Sequence, residues 1–186
     1  MRGVLYIATG KRCCSEALLN AQRCRETNPN LAITIQTDLP NYPGLSKVFD
    51  SVNLFSDPNH SYRDKVAGLA STPFSETLFL DSDACLIAPA TDLFELLQGC
   101  DLAAAYAPVR HPPGWSDAAV PMIFPELNTG VLLMRRTRVV DLLVERWLCL
   151  YDELVQTHGQ SWDQASFRSV LWSLLKNHHL SFLHLP

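Results

Sequence analysis

Several features are missing from this 186-residue sequence, and each one excludes a class of protein. The six cysteines form no Cys-x-x-Cys pair, so we expect reduced thiols rather than a disulfide framework. No run approaches the roughly 18 to 20 uncharged apolar residues of a membrane-spanning helix, and the first apolar run is too short for a secretory signal. We therefore expect a cytoplasmic protein without a transmembrane segment.

Familiar catalytic motifs are missing as well. The sequence contains neither of the glycine-rich phosphate-binding patterns, G-x-G-x-x-G and G-x-x-x-x-G-K-[ST], and neither H-E-x-x-H nor G-x-S-x-G. This argues against dehydrogenases, P-loop enzymes, zinc proteases and serine hydrolases. A broad basic surface is missing too, because 15 Lys and Arg stand against 19 Asp and Glu, and we expect no nucleic-acid partner.

The composition that is present is typical of a globular domain. Hydrophobic residues make up 47% of the chain and charged residues 18%, well away from the composition of disordered proteins. A chain of this length can bury a core large enough to hold an interior site. We therefore expect one domain over residues 1–186.

The apolar pattern predicts strands alternating with helices. A proline-rich loop is expected over 107–126, and loops of that length in compact domains are usually functional or mobile. The predicted strands are 4–8, 31–36, 48–55, 77–80, 101–106, 131–134 and 180–185, and the predicted helices include Cys14 to Cys24, residues 64–71, a short helix capped by Thr91, residues from Thr137 to a stop at Gly159, and a last helix through Leu175.

This alternation indicates an α/β domain whose mostly parallel central sheet is flanked by helices. In such a fold the ligand lies at the carboxyl ends of the strands. Four polar residues fall near predicted strand ends, and they are Asp38, Asp81, Asp83 and Asn128. We expect the functional site among them.

The pair Asp81 and Asp83 follows a buried-type apolar run. If the strand continues through them, residues i and i+2 point the same way, so both carboxylates face one side while Ser82 faces the other. Two carboxylates suit Mg²⁺ or Mn²⁺ and leave coordination positions for water and phosphate. A solvated turn is the alternative interpretation of the same residues.

Four segments in order resemble the GT-A glycosyltransferases, nearest the family 8 group that includes glycogenin and bacterial galactosyltransferases. The resemblance covers about residues 3 to 176 and implies a single GT-A (Rossmann-like) domain. The matching segments are Leu78-Phe79-Leu80-Asp81-Ser82-Asp83, Asp92-Leu93-Phe94, Asn128-Thr129-Gly130-Val131 and Asp163-Gln164.

The resemblance implies a metal-dependent transfer of a sugar from a nucleotide donor, commonly a UDP-sugar, to a hydroxyl acceptor, generally with retained anomeric configuration. Asp81 and Asp83 would hold Mn²⁺ or Mg²⁺ on the donor diphosphate, where the metal neutralises charge on the leaving group. The other implied donor-binding residues are Ala8, Thr9 and Gly10 around the nucleotide, Asp38 on the base, Arg63 and Lys65 on the diphosphate or sugar, and Ser82.

Three residues are implied to act beside the transferred sugar. Asn128 matches the family's amide near the sugar, and Gln164 matches a sugar contact. Asp163 matches an acidic residue that acts as a nucleophile or stabilises an oxocarbenium-like centre. Each site residue also has a structural alternative: Asn128 can cap a turn and Asp163 can cap the last helix. Arg63 and Lys65 can likewise belong to a solvated helix start.

Family members usually carry a later His on the metal and a Gly and Lys on the diphosphate. That segment would follow the last strand, so we expect either a C-terminally short form or a fragment, with incomplete metal and acceptor sites. His178, His179 and His184 are candidates for the metal-binding His by residue type only.

Two other functions compete with sugar transfer. One is a GT-A-like module that binds a nucleotide sugar without completing catalysis. The other is a haloacid-dehalogenase-like phosphatase with Asp81 and Asp83 in its motif, although such enzymes expect Thr where this sequence has Cys85. The sequence leaves open whether several copies of the chain associate.

Overall fold

The computed structural model describes residues 1–109, 114–177 and 179–185. In this part of the chain, seven strands form one sheet and helices cover both of its faces. The strands are β1 (Arg2–Ile7), β2 (Ala32–Thr37), β3 (Ser51–Leu54), β4 (Glu76–Leu80), β5 (Leu102–Tyr106), β6 (Leu127–Arg135) and β7 (Phe182–His184). The helices are α1 (Gly10–Thr27), α2 (Leu45–Val48), α3 (Tyr62–Leu69), α4 (Arg138–His158), α5 (Gln164–Lys176) and a 3₁₀ helix (Thr91–Gln98).

The sheet is mostly parallel, which confirms the predicted α/β class. Its strand order is β3-β2-β1-β4-β6-β5-β7. Only β6 runs against its neighbours, pairing antiparallel with both β4 and β5. Because of this direction, the beginning of β6 lies beside the carboxyl end of β4, where Val131 pairs with Leu80.

The core lies on both faces of the sheet, because alternate side chains of each central strand point to opposite sides. In β1, Val4 and Tyr6 pack with α1 and the 3₁₀ helix, while Leu5 and Ile7 pack with α3, α4 and α5. Trp147 of α4 is fully buried against the second face and stacks with Phe167 at 4.7 Å between ring centroids. Both faces are therefore covered, as a parallel sheet requires.

The long helix α4 begins and ends as the sequence predicts. The Thr137 hydroxyl accepts a hydrogen bond from the Val140 amide at 3.4 Å, and Gly159 ends the helix in the left-handed region with φ of 62°. The described parts of the 107–126 loop contain no helix or strand, which agrees with the prediction. No helix within the described ranges is long and apolar enough to cross a bilayer.

Two local predictions are wrong. The expected strand over 48–55 is shorter than predicted: Val48 ends the short helix α2, which follows Gly44 at φ of 95°, and β3 is confined to 51–54. The expected cap Thr91 is the first residue of its helix; Ala90 occupies the cap position, and the helix has 3₁₀ geometry. Neither difference concerns β4, the strand that directly precedes Asp81 and Asp83.

Candidate active site

A cavity of about 500 Å³ lies where β1 and β4 end, between α1 and α3. Its volume is within the usual range for small-molecule sites. Five of its residues are predicted site residues: Thr9, Lys65, Asp81, Ser82 and Asp83. The remaining lining residues are Ile7, Arg12, Cys13, Glu16, His60, Ser61, Tyr62, Asp64 and Ser161.

The Asp-Ser-Asp segment is a turn, not the continuation of a strand, so the i, i+2 prediction is wrong. β4 ends at Leu80, and the Ala84 amide donates to the Asp81 carbonyl at 2.9 Å to close the turn. The Asp81 amide still bonds to the Gly130 carbonyl at 2.8 Å, which ties the start of the turn to β6. Both carboxylates line the cavity through this turn; Asp81 is half-buried and Asp83 is exposed.

Lys65 joins the turn to the beginning of α5. Its ammonium nitrogen lies 3.0 Å from Asp163 Oδ2 and 3.4 Å from Asp81 Oδ1, and it donates to Thr129 Oγ1 at 3.2 Å. The Thr129 hydroxyl in turn donates to Asp163 Oδ2 at 2.7 Å. Lys65, Thr129 and Asp163 are all buried, so the charges of Lys65 and Asp163 are paired away from water. We call these four residues the Lys65 cluster.

Two residues of the Lys65 cluster, Asp81 and Lys65, have raised pKa values. Burial raises the pKa of Asp81; Lys65 opposes this shift, and the negative charges of Asp163 and Asp83 reinforce it. Burial alone would lower the pKa of Lys65, but the carboxylates of Asp163 and Asp81 outweigh it and raise that pKa. The ammonium is therefore held in its charged form by the two carboxylates.

The alternative role of Asp163, as a side-chain cap of α5, is wrong. Asp163 occupies the cap position, but its side chain makes no capping hydrogen bond and points into the Lys65 cluster. Its carbonyl is held separately, by the Trp147 indole N–H at 2.9 Å and the Ser166 hydroxyl at 2.8 Å. These two hydrogen bonds hold the Asp163 backbone in place, and the carboxylate pairs with Lys65 and Thr129 instead.

Gly130 provides the space that the Asp81 carboxylate occupies. A Cβ atom at residue 130 would lie 2.6 Å from Asp81 Oδ2 and 3.0 Å from Asn128 Oδ1, closer than real contacts allow. The Asn128 side chain accepts a hydrogen bond from the Gly130 amide at 2.8 Å, but both residues lie within β6, so the alternative role of Asn128 as the cap of a turn before the strand is wrong. Asn128 is therefore beside Asp81, at the beginning of β6.

The first β-strand leads into the residues expected to surround a nucleotide. Asp38 accepts a hydrogen bond from the Gly10 amide at 2.8 Å, and Gly10 has φ of 81°, a conformation that suits glycine. Buried Asp64 accepts from the Thr9 hydroxyl at 2.6 Å and from the amide of His60 at 2.8 Å. Ala8 is 1% exposed and belongs to the core, so Thr9 rather than Ala8 reaches the cavity.

Arg63 and Gln164 do not line the cavity. The Arg63 guanidinium donates to the Asp152 carboxylate of α4, with Nε 2.9 Å from Oδ1, and faces a separate depression of about 430 Å³. Gln164 is the first residue of α5 and is half-buried. The roles of both in binding a donor stay predictions, and the position of Arg63 does not favour its role.

Neither of the candidate histidines that the structure describes lines the cavity with Asp81 and Asp83. His184 pairs with Ala104 at the outer edge of the sheet and accepts a hydrogen bond from the Tyr106 amide at 3.2 Å. Three strand spacings separate β7 from β4, which is about 14 Å. His179 borders a depression between α4 and α5, and His178 lies outside the described residues.

The donor set fits a hard divalent cation such as Mg²⁺ or Mn²⁺. Within residues 1–109, 114–177 and 179–185, no group of three or more His, Cys, Asp or Glu side chains is arranged to hold a metal. Asp81 and Asp83 border the cavity from one turn, and such ions often use one or two carboxylates and complete their shell with water and phosphate. A cation would also offset the burial, and the smaller repulsion from Asp163 and Asp83, that raise the pKa of Asp81.

Three polar side chains of α1 hold the turn in place, and they were not predicted from the sequence. Asn20 donates from its amide to the Ser82 carbonyl at 2.8 Å, and the Ser82 hydroxyl donates to Glu16 Oε2 at 3.0 Å. Arg12 Nε donates to Glu16 Oε1 at 2.9 Å. The spacing i, i+4, i+8 places Arg12, Glu16 and Asn20 on one helix face. This spacing is visible in the sequence and could have indicated that the three side chains act together. We call these three residues the α1 stripe.

A buried carboxyl group lies just before β6. Glu126 is 6% exposed, and burial raises its pKa from 4.5 to about 7; Arg168 opposes the shift and Asp163 adds to it. Because the folded chain binds this proton more tightly than the unfolded chain, the free energy of unfolding falls as the pH rises from about 4.5 to about 7. Ionised Glu126 therefore reduces stability above that window.

Replacing Glu126 with Gln should remove this penalty. We expect Glu126→Gln to raise the free energy of unfolding at pH 8 by about 1–3 kcal/mol relative to the unaltered protein, with little difference at pH 5. Urea unfolding of both proteins at the two pH values measures it, since other titrating groups cancel in the comparison. The same difference at both values would contradict a raised pKa for Glu126.

Comparison with solved structures places the fold among GT-A glycosyltransferases. The glycosyltransferase GlyE of Streptococcus pneumoniae TIGR4 matches over 99% of this chain and 45% of its own, with a TM-score of 0.70 and 20% identity. LgtC, a galactosyltransferase solved with donor and acceptor sugar analogues, matches over 99% of this chain and 73% of its own, with a TM-score of 0.53 and 13% identity. For mouse xyloside xylosyltransferase 1 the shares are 100% and 85%, with a TM-score of 0.54 and 12% identity.

The chain thus spans less than half the length of the GlyE chain that it matches. No family model and no sequence among the curated proteins matches it. The likeness is therefore one of fold.

Proposed function

We propose that this protein is a metal-dependent glycosyltransferase of the family 8 type, which transfers a hexose from a UDP-sugar to a hydroxyl acceptor with retained configuration. The observation that carries the proposal is the Lys65 cluster. It brings Asp81 of the turn together with Asp163 of the last helix, beside a cavity of suitable size at the carboxyl end of the sheet. The GT-A fold supports the same conclusion.

Asp81 and Asp83 would hold Mn²⁺ or Mg²⁺. When bound, the metal supplies Lewis-acid stabilisation of the departing diphosphate. The chain's own contribution is to keep both carboxylates in a fixed turn, through the α1 stripe on one side and Gly130 on the other. Thr9 and Gly10 would border the nucleotide, with Asp38 fixing the Gly10 backbone that supports it.

Asp163 would act on the sugar. Its carboxylate is buried, ion-paired with Lys65 and oriented by the Thr129 hydroxyl, so it presents a fixed negative charge near Asp81. A fixed carboxylate can stabilise positive charge that develops at the anomeric carbon, or can attack it. Asn128 lies beside Asp81 and would contact the same sugar, with Gln164 following Asp163 on α5.

Calorimetric titration of UDP and several UDP-sugars, with Mn²⁺ and with a chelator, tests this function. We expect binding that depends on the metal, followed by slow release of UDP from the sugar donor in a hydrolysis assay. Absence of binding under every condition would overturn the proposal. Hydrolysis of p-nitrophenyl phosphate without any UDP binding would instead support the phosphatase alternative.

A second candidate is a module that binds a nucleotide sugar without turnover. The observation that favours it is that Asp163, the residue proposed to act on the sugar, is 3% exposed and is not among the residues that line the cavity. The same titration separates the two, since a binding module would hold the UDP-sugar in a metal-dependent way and release no UDP over hours.

A further inference from the structure

One lysine and one arginine, Lys65 and Arg12, border the cavity, and they differ in how many of their N–H donors are already in use. A lysine ammonium has three donors. Lys65 directs them toward Asp163, Asp81 and Thr129, with nitrogen–oxygen distances of 3.0, 3.4 and 3.2 Å. Lys65 therefore cannot contact a bound anion without giving up one of its present partners.

Arg12 is the arginine that borders the cavity. A guanidinium has five N–H donors, and Arg12 uses its Nε–H on Glu16 at 2.9 Å. Its side chain is 87% exposed, and both Arg12 and Asp83 line the cavity. Among the described residues its two terminal nitrogens make no hydrogen bond, so they remain available for a ligand in the cavity that Asp81 and Asp83 also line.

The pairing of Arg12 with Glu16 orients the guanidinium but does little for stability. Exposed i, i+4 ion pairs contribute little to the free energy of unfolding, because water screens them and ordering two long side chains costs entropy. Glu16 is itself held, because it also accepts the Ser82 hydroxyl of the turn. The Arg12 head group is therefore attached, through one carboxylate, to the segment that carries Asp81 and Asp83.

We propose that Arg12 binds the diphosphate of the nucleotide donor, with Glu16 as its positioning residue, and that Lys65 instead holds Asp81 and Asp163 in place. This inference rests on the proposed function. Arginine suits the task because its planar fork matches phosphate oxygens two at a time. It would contact phosphate oxygens on the α1 side of the cavity.

The test compares UDP with uridine, since the two ligands share a base and a ribose and differ in the diphosphate. Affinities of both are measured, with Mn²⁺ present, for the unaltered protein and for Arg12→Ala, Arg12→Lys and Arg23→Ala. Arg23 is a matched control because it is an exposed arginine on the same helix outside the cavity. Weak uridine binding can be followed by ligand-observed NMR.

We expect Arg12→Ala to weaken UDP binding about tenfold or more, the scale of a charge-assisted hydrogen bond, and to leave uridine binding unchanged. Arg12→Lys should retain part of the UDP affinity, and Arg23→Ala should match the unaltered protein for both ligands. Equal UDP affinity in Arg12→Ala, or equal loss of UDP and uridine, would overturn the assignment while leaving the proposed function intact. If the unaltered protein binds no UDP, the proposed function fails and this inference fails with it.

Discussion

Replacing Asp83 with Ala removes Mn²⁺-dependent UDP binding while the fold is retained. Asp83 is exposed on the turn, so its loss should change the free energy of unfolding by no more than about 0.5 kcal/mol. In the proposed function Asp83 binds the metal, and loss of a direct metal ligand should weaken binding about 100-fold or more, beyond the effect of outer-shell changes. Calorimetry with Mn²⁺ and with a chelator measures the binding.

The matched control for this experiment is Asp141→Ala, which removes an exposed carboxylate from α4, away from the cavity. It should leave both UDP affinity and stability close to those of the unaltered protein. If Asp83→Ala retained Mn²⁺-dependent UDP binding, the metal would have to be held elsewhere and the site would be misassigned.

Replacing Lys65 with Met destabilises the protein by about 3–5 kcal/mol, the usual cost of removing one partner of a buried ion pair. The reason is that Asp163, which is 3% exposed, and half-buried Asp81 would lose the cation that faces them both. A methionine fills similar space, so the change isolates the charge. Urea unfolding at pH 7 measures the free energy.

A second substitution distinguishes charge from packing. In Lys65→Met/Asp163→Asn, the buried negative charge is removed as well, so we expect much of the lost stability to return. Lys47→Met, at an exposed lysine, should change stability by less than about 0.5 kcal/mol. If the double variant were no more stable than the single one, the Lys65 cluster would not be stabilised by its charges.

The outline of the fold could be predicted because its signals are local. Apolar alternation and helical spacing depend on residues a few positions apart, so the long helix α4, with Thr137 and Gly159 at its ends, follows directly from the sequence. The position of Asp81 and Asp83 after a buried strand follows for the same reason. The boundary of β4 could not be fixed in this way, because the pattern does not show where ladder pairing stops.

The grouping of site residues depended on contacts between distant segments. Arg63 and Lys65 look alike in the sequence, yet residues two apart on a helix point about 200° apart around its axis. Lys65 therefore enters the cluster with Asp163, while Arg63 pairs with Asp152 outside the cavity. Sequence pattern alone gives no reason to choose between them.

By itself, then, the sequence determined the α/β class, the alternation of elements and the place of the acidic turn, since each is set by short-range hydrophobic spacing. Tertiary structure alone decided that β6 runs antiparallel beside β4, that Asp163 turns toward Lys65 rather than capping α5, and that the α1 stripe holds Ser82. The physical reason is that a buried charge or hydrogen bond is satisfied by whichever partner the fold brings within reach.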